Sequence, residues 1–235
     1  MNTPAREDEL RTGLAQVRER IAAAAAETGR DAAEVQLVVV TKFFPASDVR
    51  ILAGLGVTDV GENRHQEAEA KAAELADLGL TWHFIGNLQS NKAGAVAQYA
   101  DVVQSVDRTK LLGGLTRGAH ERGHTLDCLV QVDLDPTPKA GRGGAAPDDV
   151  LALCGEVEAA DELRLRGLMA VAPLDLDPAQ AFARLAELAA DVRREHPDAT
   201  WLSAGMSGDL EQAVKAGATH VRVGSAVLGE RPSNR

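Results

Sequence analysis

The chain has 235 residues, 45% of them hydrophobic and 26% charged, which suits one well-packed domain of barrel or doubly wound size. The formal net charge of -10 argues against a general nucleic-acid or anionic-membrane surface and leaves room only for a local basic pocket. Aromatics are 3%, so the core must be built from Ala, Leu and Val, and the only cysteines, Cys128 and Cys154, read as buried thiols in a reducing compartment.

The charged start, Met1-Asn2-Thr3-Pro4-Ala5-Arg6-Glu7-Asp8, carries no apolar signal core, and no run has the length of a membrane span, so the expectation is a cytoplasmic protein. Leu10, Leu14, Val17 and Ile21 fall at helical spacing and predict a helix from Ala5 to Thr28, stopped near Gly29. Leu37-Val38-Val39-Val40-Thr41-Lys42 then reads as a strand buried on both faces, ending in a lysine. Strands and helices alternate from there. Helices are expected over Ser47–Gly54, Glu62–Leu78, Lys92–Gln98, Arg108–Glu121, Asp148–Ala159, Ala179–Glu195 and Asp209–Ala216. Strands are expected at Val57–Val60, Trp82–Ile85, Val102-Val103, Leu126–Leu134, Leu163–Met169, Thr200–Ser203 and His220–Val223. Asp177-Pro178 suits an N-cap followed by a first-turn proline. The Pro/Gly-rich stretch from Asp135 to Pro147 reads as a lid, and Glu230 to Arg235 as a frayed tail. About eight strands separated by helices is the count of a TIM (β/α)8 barrel. The expected fold class is therefore α/β, a single such barrel with an extra N-terminal helix, spanning residues 1–235 as one domain. An open doubly wound sheet has a similar alternation, and the strand count is what separates them.

In a barrel the chemistry collects at the C-terminal ends of the strands. Lys42 ends the first strand. It reads either as a snorkelling lysine paired with a carboxylate such as Glu62, or as an amine with a lowered pKa that is poised for Schiff-base formation. Ser203-Ala204-Gly205-Met206-Ser207-Gly208 after the seventh strand and Gly224-Ser225 after the eighth suit an anion, since loops seven and eight are the usual phosphate cradle of this fold. Ordinary turns also favour Gly and Ser. His120-Glu121-Arg122-Gly123-His124 matches a zinc-protease pattern, but Gly123 precedes a strand, so His124 is expected in a turn and no metal site is assigned.

Taken in order, several motifs resemble the pyridoxal phosphate homeostasis proteins (the YggS/PROSC family), related to the alanine racemase N-terminal barrel. They are Val38-Val39-Val40-Thr41-Lys42 near Pro45, Gly61-Glu62-Asn63 with Gln66-Glu67, and Trp82-His83-Phe84-Ile85-Gly86 with Leu88-Gln89-Ser90-Asn91-Lys92. Arg166-Gly167-Leu168-Met169, Leu202-Ser203 with Gly205-Met206-Ser207, and Val221-Arg222-Val223-Gly224 complete the set. The resemblance implies pyridoxal 5′-phosphate held as a Schiff base on Lys42. It places the phosphate at Ser203, Ser207, Gly224 and Ser225, Arg222 at the pyridine nitrogen, and Asn63 and His83 along the cofactor, although His83 in its apolar strand also reads as a satisfied core histidine. Asn87, Gln104 and the lid residues Lys139-Ala140-Gly141-Arg142 depart from the family pattern.

The function implied is intracellular vitamin B6 homeostasis without turnover, with delivery to pyridoxal-phosphate-dependent apo-enzymes and a monomeric state as the expected partnerships. Two alternatives share the barrel. One is an amino-acid racemase, disfavoured because such chemistry needs a second base and the only tyrosine, Tyr99, falls on an outer helix. The other is a cofactor-free Schiff-base aldolase acting through Lys42.

Overall fold

The computed structural model describes residues 4–136 and 143–230. Eight parallel strands close into a barrel in the order of the chain, each bonded to the next and β8 back to β1. The order is α1 (Pro4–Ala26), β1 (Gln36–Val40), α2 (Ala46–Gly54), β2 (Asp59–Glu62), α3 (His65–Glu74) and β3 (Thr81–Phe84). Then come α4 (Ala93–Ala97), β4 (Val102–Val106), α5 (Leu112–Arg122), β5 (Leu126–Val132), α6 (Val150–Glu158) and β6 (Leu163–Ala170). The chain ends with α7 (Pro178–Glu195), β7 (Trp201–Ser203), α8 (Leu210–Lys215), β8 (His220–Val223) and a short α9 (Ser225–Leu228). The predicted class and the extra N-terminal helix are both present. Among the described residues, no helix is long and apolar enough to cross a membrane.

The strands are apolar because both faces are covered. Their outward residues meet the helices, with Val39, Val60, Val221 and Val223 packing under α1 and α2, and Cys128, Val130, Leu165 and Leu168 packing under α5 to α7. Inside the barrel, Val102, Leu129 and Met169 make a small apolar cluster. Gly167 makes this packing possible. It sits at φ 145°, beside a register shift between β5 and β6, and a Cβ there would run into the Trp201 carbonyl.

Several boundaries differ from the sequence reading, and three of them bear on the site. Glu62 ends β2 instead of starting a helix, and α3 begins only at His65. β4 runs on to Val106. Lys42 stands two residues beyond the end of β1, in a turn. The Asp177-Pro178 start of α7 is as expected, with the Ala179 N–H donating to Asp177 Oδ1 at 2.9 Å.

α1 is more than an appendage. Leu10, Leu14, Val17 and Ile21 bury one face of it, and Gly13 lets it close onto the α9 backbone at Val227. From it Arg6 donates to the Leu228 carbonyl at 3.1 Å, and Arg20 donates to the Ser207 carbonyl at 3.0 Å. The extra helix therefore ties down the two loops that follow β7 and β8.

Candidate functional site

The turn after β1 is held by a buried clamp. Thr41 Oγ1 donates to Glu62 Oε1 at 2.7 Å, and Lys71 Nζ reaches Glu62 Oε1 at 2.7 Å, the Thr41 carbonyl at 2.8 Å and Glu67 Oε1 at 2.7 Å. Glu67 also accepts the Phe43 N–H at 2.6 Å. Phe43 needs that support, since its φ of 70° is left-handed backbone, which costs a bulky residue roughly 1–3 kcal/mol. Burial pushes the Glu62 carboxyl up from its ordinary pKa despite the lysine beside it. Glu62 is thus committed to Lys71 and Thr41, and the clamp aims the turn that carries Lys42 toward the barrel mouth.

The late loops meet that turn from the other side. Gly205, at φ 90°, lets the loop after β7 pass against α8, where a Cβ would press on Ala213. Asp209 Oδ1 accepts the Met206 N–H at 2.6 Å. Ser225 Oγ donates to Ser207 Oγ at 3.2 Å and the Ala226 N–H to the same oxygen at 3.3 Å, so the β7 and β8 loops are joined through hydroxyls. Below them lies Arg222, only 4% exposed. It donates to Ser203 Oγ at 2.7 Å and to the Ala170 carbonyl at 2.8 Å. Among the described residues, no carboxylate lies within ion-pair distance of it. Burial lowers the guanidinium pKa to about 10, opposed by the more distant charge of Asp209, so it stays protonated at neutral pH.

These elements enclose a cavity of about 380 Å³, lined by Lys42, Asn63, Ser207, Arg222, Gly224 and Ser225 together with apolar Val40, Ile85 and Val171. That volume suits a small ligand, for which sites of about 300–1,000 Å³ are usual. Six of the eight predicted site residues meet here. Asn63 Oδ1 is buried with no hydrogen-bond partner, an acceptor left for a ligand to satisfy.

The other two, Ser203 and His83, lie elsewhere. Both point into the barrel below the cavity and are spent on internal bonds. Ser203 Oγ donates to Gln104 Oε1 at 2.7 Å, and His83 bonds Gln104 at 2.9 Å and Asp59 at 2.8 Å. Ser203 therefore presents no hydroxyl to the cavity. The sequence reading offered Glu62 as a carboxylate for Lys42 and did not foresee its pairing with Lys71, although Glu67 and Lys71 at helical i,i+4 spacing were a visible pair.

The zinc-protease pattern is dispersed. α5 ends at Arg122, Gly123 turns left-handed, and His124 falls beyond the helix, near Asp101, while His120 faces Glu162. Among the described residues, no group of three or more His, Cys, Asp or Glu side chains is placed to hold a metal. Both cysteines are buried, and burial pushes the Cys154 thiol to about 12 and Cys128 higher. Lys139 and Arg142 of the lid lie outside the described residues.

A closed barrel with a lysine after strand one, hydroxyl-lined late loops and a buried arginine at its mouth defines a barrel that binds a small anionic ligand. The family model described as "Alanine racemase, N-terminal domain" matches residues 12–232. The pyridoxal phosphate homeostasis protein of Mycobacterium tuberculosis is 46% identical, over 97% of this chain and 95% of its own. The protein of the same name from Escherichia coli is 36% identical, over 95% of this chain and 97% of its own. PipY of Synechococcus elongatus, solved with PLP bound, is 39% identical and superposes with a TM-score of 0.78 over 91% of this chain and all of that one. The chain belongs to the pyridoxal phosphate homeostasis family.

Proposed function

We propose that this chain binds pyridoxal 5′-phosphate at the C-terminal mouth of its barrel and serves vitamin B6 homeostasis as a holder of the cofactor. The observation that carries this reading is Arg222. It is a buried guanidinium that faces the same cavity as Lys42, with no carboxylate beside it among the described residues. The chemistry of the residues fits the group. Lys42 supplies the amine for a Schiff base with the cofactor aldehyde. Ser207 and Ser225, with the backbone at Gly224, supply donors for the phosphate. Asn63 offers a polar edge. Arg222 can donate to the ring nitrogen and has no lone pair with which to accept a proton from it. A pyridine nitrogen kept unprotonated is a weak electron sink, which supports storage over amino-acid chemistry. Tyr99 is just beyond α4, half-buried against His65 with ring centroids 5.8 Å apart, outside the residues that line the mouth cavity.

The finer reading is a monomeric cytoplasmic protein, with residues 1–235 acting as one cofactor-binding unit that passes pyridoxal phosphate to apo-enzymes. Purified protein should take up added pyridoxal phosphate and turn yellow. Lys42→Ala should lose the visible absorbance band while its circular dichroism and Tm stay unchanged. A wild-type protein that remains colourless after addition of the cofactor would sink the reading. Steady conversion of an L- to a D-amino acid would replace it with a racemase.

A further inference from the structure

The barrel interior is divided. One side is filled by Val102, Leu129 and Met169. The other holds a row of polar side chains: Gln104 and Ser203 are 0% exposed, His83 is 1% and Arg222 4%. Buried polar groups are costly unless every one is bonded, and apolar residues fill the neighbouring space without that cost. The polar row therefore calls for a reason.

Its bonds form one continuous chain. Arg222 donates to Ser203 at 2.7 Å, Ser203 to Gln104 Oε1 at 2.7 Å, Gln104 Nε2 to His83 Nδ1 at 2.9 Å, and His83 Nε2 to Asp59 Oδ1 at 2.8 Å. Only one arrangement of hydrogens gives every donor in the chain an acceptor. A carboxylate only accepts, so Nε2 of His83 carries a proton toward Asp59. Nδ1 then accepts from the Gln104 amide nitrogen, the amide oxygen accepts from the Ser203 hydroxyl, and the Ser203 lone pair is left for Arg222. All four donors point the same way, from the guanidinium to the carboxylate. Asp59 anchors the far end at the opposite mouth of the barrel. Its second oxygen accepts from Gln36 Nε2 at 2.7 Å and Thr58 Oγ1 at 2.7 Å, which favours the ionised form.

We propose that Ser203 and Gln104 are positioning residues for Arg222, and that Asp59 is a remote counter-charge to it besides Asp209, relayed by this unidirectional chain. The proposal rests on the cofactor reading only in what Arg222 is positioned for. A carboxylate placed directly beside Arg222 would occupy the donors that face the cavity. A counter-charge four hydrogen bonds away supports the cation and leaves the mouth clear. Ser203, whose residue type suggests a phosphate ligand, holds the arginine instead.

The test uses the full chain and two readouts. Without cofactor, ¹⁵N NMR of the imidazoles should show His83 as the neutral Nε2–H tautomer at neutral pH. A His83 protonated on Nδ1 or on both nitrogens overturns the chain, whatever the protein binds. With pyridoxal 5′-phosphate as the titrant, Ser203→Ala should weaken binding about tenfold, since a hydrogen bond to a charged group is worth roughly 1.5–3 kcal/mol, and Gln104→Leu, which removes a bond between neutral groups, about fivefold. Ser203→Thr, which keeps the hydroxyl, should restore it. Val102→Ala removes volume from the apolar side of the interior and should leave affinity within about twofold, a change of under half a kcal/mol. Asp59→Asn keeps the shape and the acceptor but removes the charge. It should lower affinity and move the absorbance maximum of the bound chromophore. Wild-type affinity in Ser203→Ala, or an equal loss in Val102→Ala, overturns the proposal. If the interior variants do not fold, an unmoved absorbance maximum in Asp59→Asn does so alone. Wild-type protein that takes up no cofactor defeats the functional reading, while the tautomer still judges the chain.

Discussion

The two mouths of the barrel differ in what they leave unsatisfied. The N-terminal mouth opens on the larger cavity, about 810 Å³ against about 380 Å³, and is lined by many charged residues. Almost all of them are spent. Arg164 pairs with Asp127 at 2.5 Å, Arg122 with Asp101 at 2.8 Å, and Arg30 donates to the Val214 and Ala218 carbonyls at 3.0 Å each. Asp59 accepts three side-chain donors. Arg166 Nε lacks a hydrogen bond, but its guanidinium lies 4.3 Å from the Trp201 ring centre. The C-terminal mouth is smaller and unfinished. Arg222 has no carboxylate beside it among the described residues, and Asn63 Oδ1 has no partner. Phe43 and Met206, two of the three exposed large apolar side chains among the described residues, stand on its loops. Volume is therefore a poor guide to function here, and unfilled bonding capacity is the better one.

The largest test strikes the clamp that supports the unfinished mouth. Lys71 and Glu62 are both buried, with side chains 8% and 1% exposed. Removing one partner of a buried pair strands the other, at a cost of about 3–5 kcal/mol. Lys71→Met should destabilise the fold by that order in urea unfolding. It should also release the Phe43 turn and weaken pyridoxal phosphate uptake in the fraction that folds. A loss below about 1 kcal/mol, the size expected of a surface pair, would mean that the clamp is not what holds Lys42 in place.

The second test reads the finished mouth through pH. Burial holds the His220 pKa down at about 3, helped by the nearby charges of Arg166 and Arg222 and opposed by Asp59. The unfolded histidine, at its ordinary value of 6.5, binds a proton that the folded one refuses. Its contribution to stability is therefore present above about pH 6.5 and is lost as pH falls, by roughly 1.4 kcal/mol per unit. Between about pH 6.5 and about pH 5 that amounts to about 2 kcal/mol. His220→Phe keeps a ring against Trp201, 4.4 Å away in the wild type, and should flatten the acid limb of the stability profile by that amount. An equally steep limb in the variant would move the acid sensitivity to other groups.

The mouth residues legible in the sequence were those whose position follows from order along the chain. Strand count and alternation predicted the barrel, and strand ends predicted Lys42, Asn63, Ser207, Gly224 and Ser225 at one rim. What escaped was which way a side chain faces on a very short strand. β7 has three residues, and Ser203 pairs in register with His220 near the floor of β8 instead of reaching the rim. Period-two alternation then turns it inward. His83 left two readings open, a satisfied core histidine and a residue along the cofactor, and its orientation is what the sequence could not settle. Its run reads as apolar, and only the closed barrel shows that it alternates with outward Trp82 and Phe84. The register shift at Arg166 and Gly167 is invisible in composition, yet it sends Met169 into the barrel and Leu168 out under the helices. The clamp was hidden by Glu62, a good helix former that here ends a strand after Gly61.

The smallest expected effect is also the one most able to break the contrast between the mouths. Arg164 sits on the rim of the larger cavity with its side chain 56% exposed, bonded to Asp127. Its guanidinium pKa is raised, first through the hydrogen bond to Asp127, but an ion pair this exposed is screened by solvent and contributes about 1 kcal/mol or less. Arg164→Ala should therefore shift the urea midpoint slightly, with the difference shrinking as salt is added. Pyridoxal phosphate affinity and the absorbance of the bound chromophore should not change, because among the described residues no hydrogen bond links Arg164 to the chain between Asp59 and Arg222. Asp127 keeps Arg166 as a partner at 3.8 Å, so the lost bond does not strand a buried charge. If Arg164→Ala weakened cofactor binding as much as Ser203→Ala, the N-terminal mouth would be coupled to the cofactor site through its surface charges. The spent rim would then be functional surface after all, and the axial chain would lose its claim to be the route between the two ends.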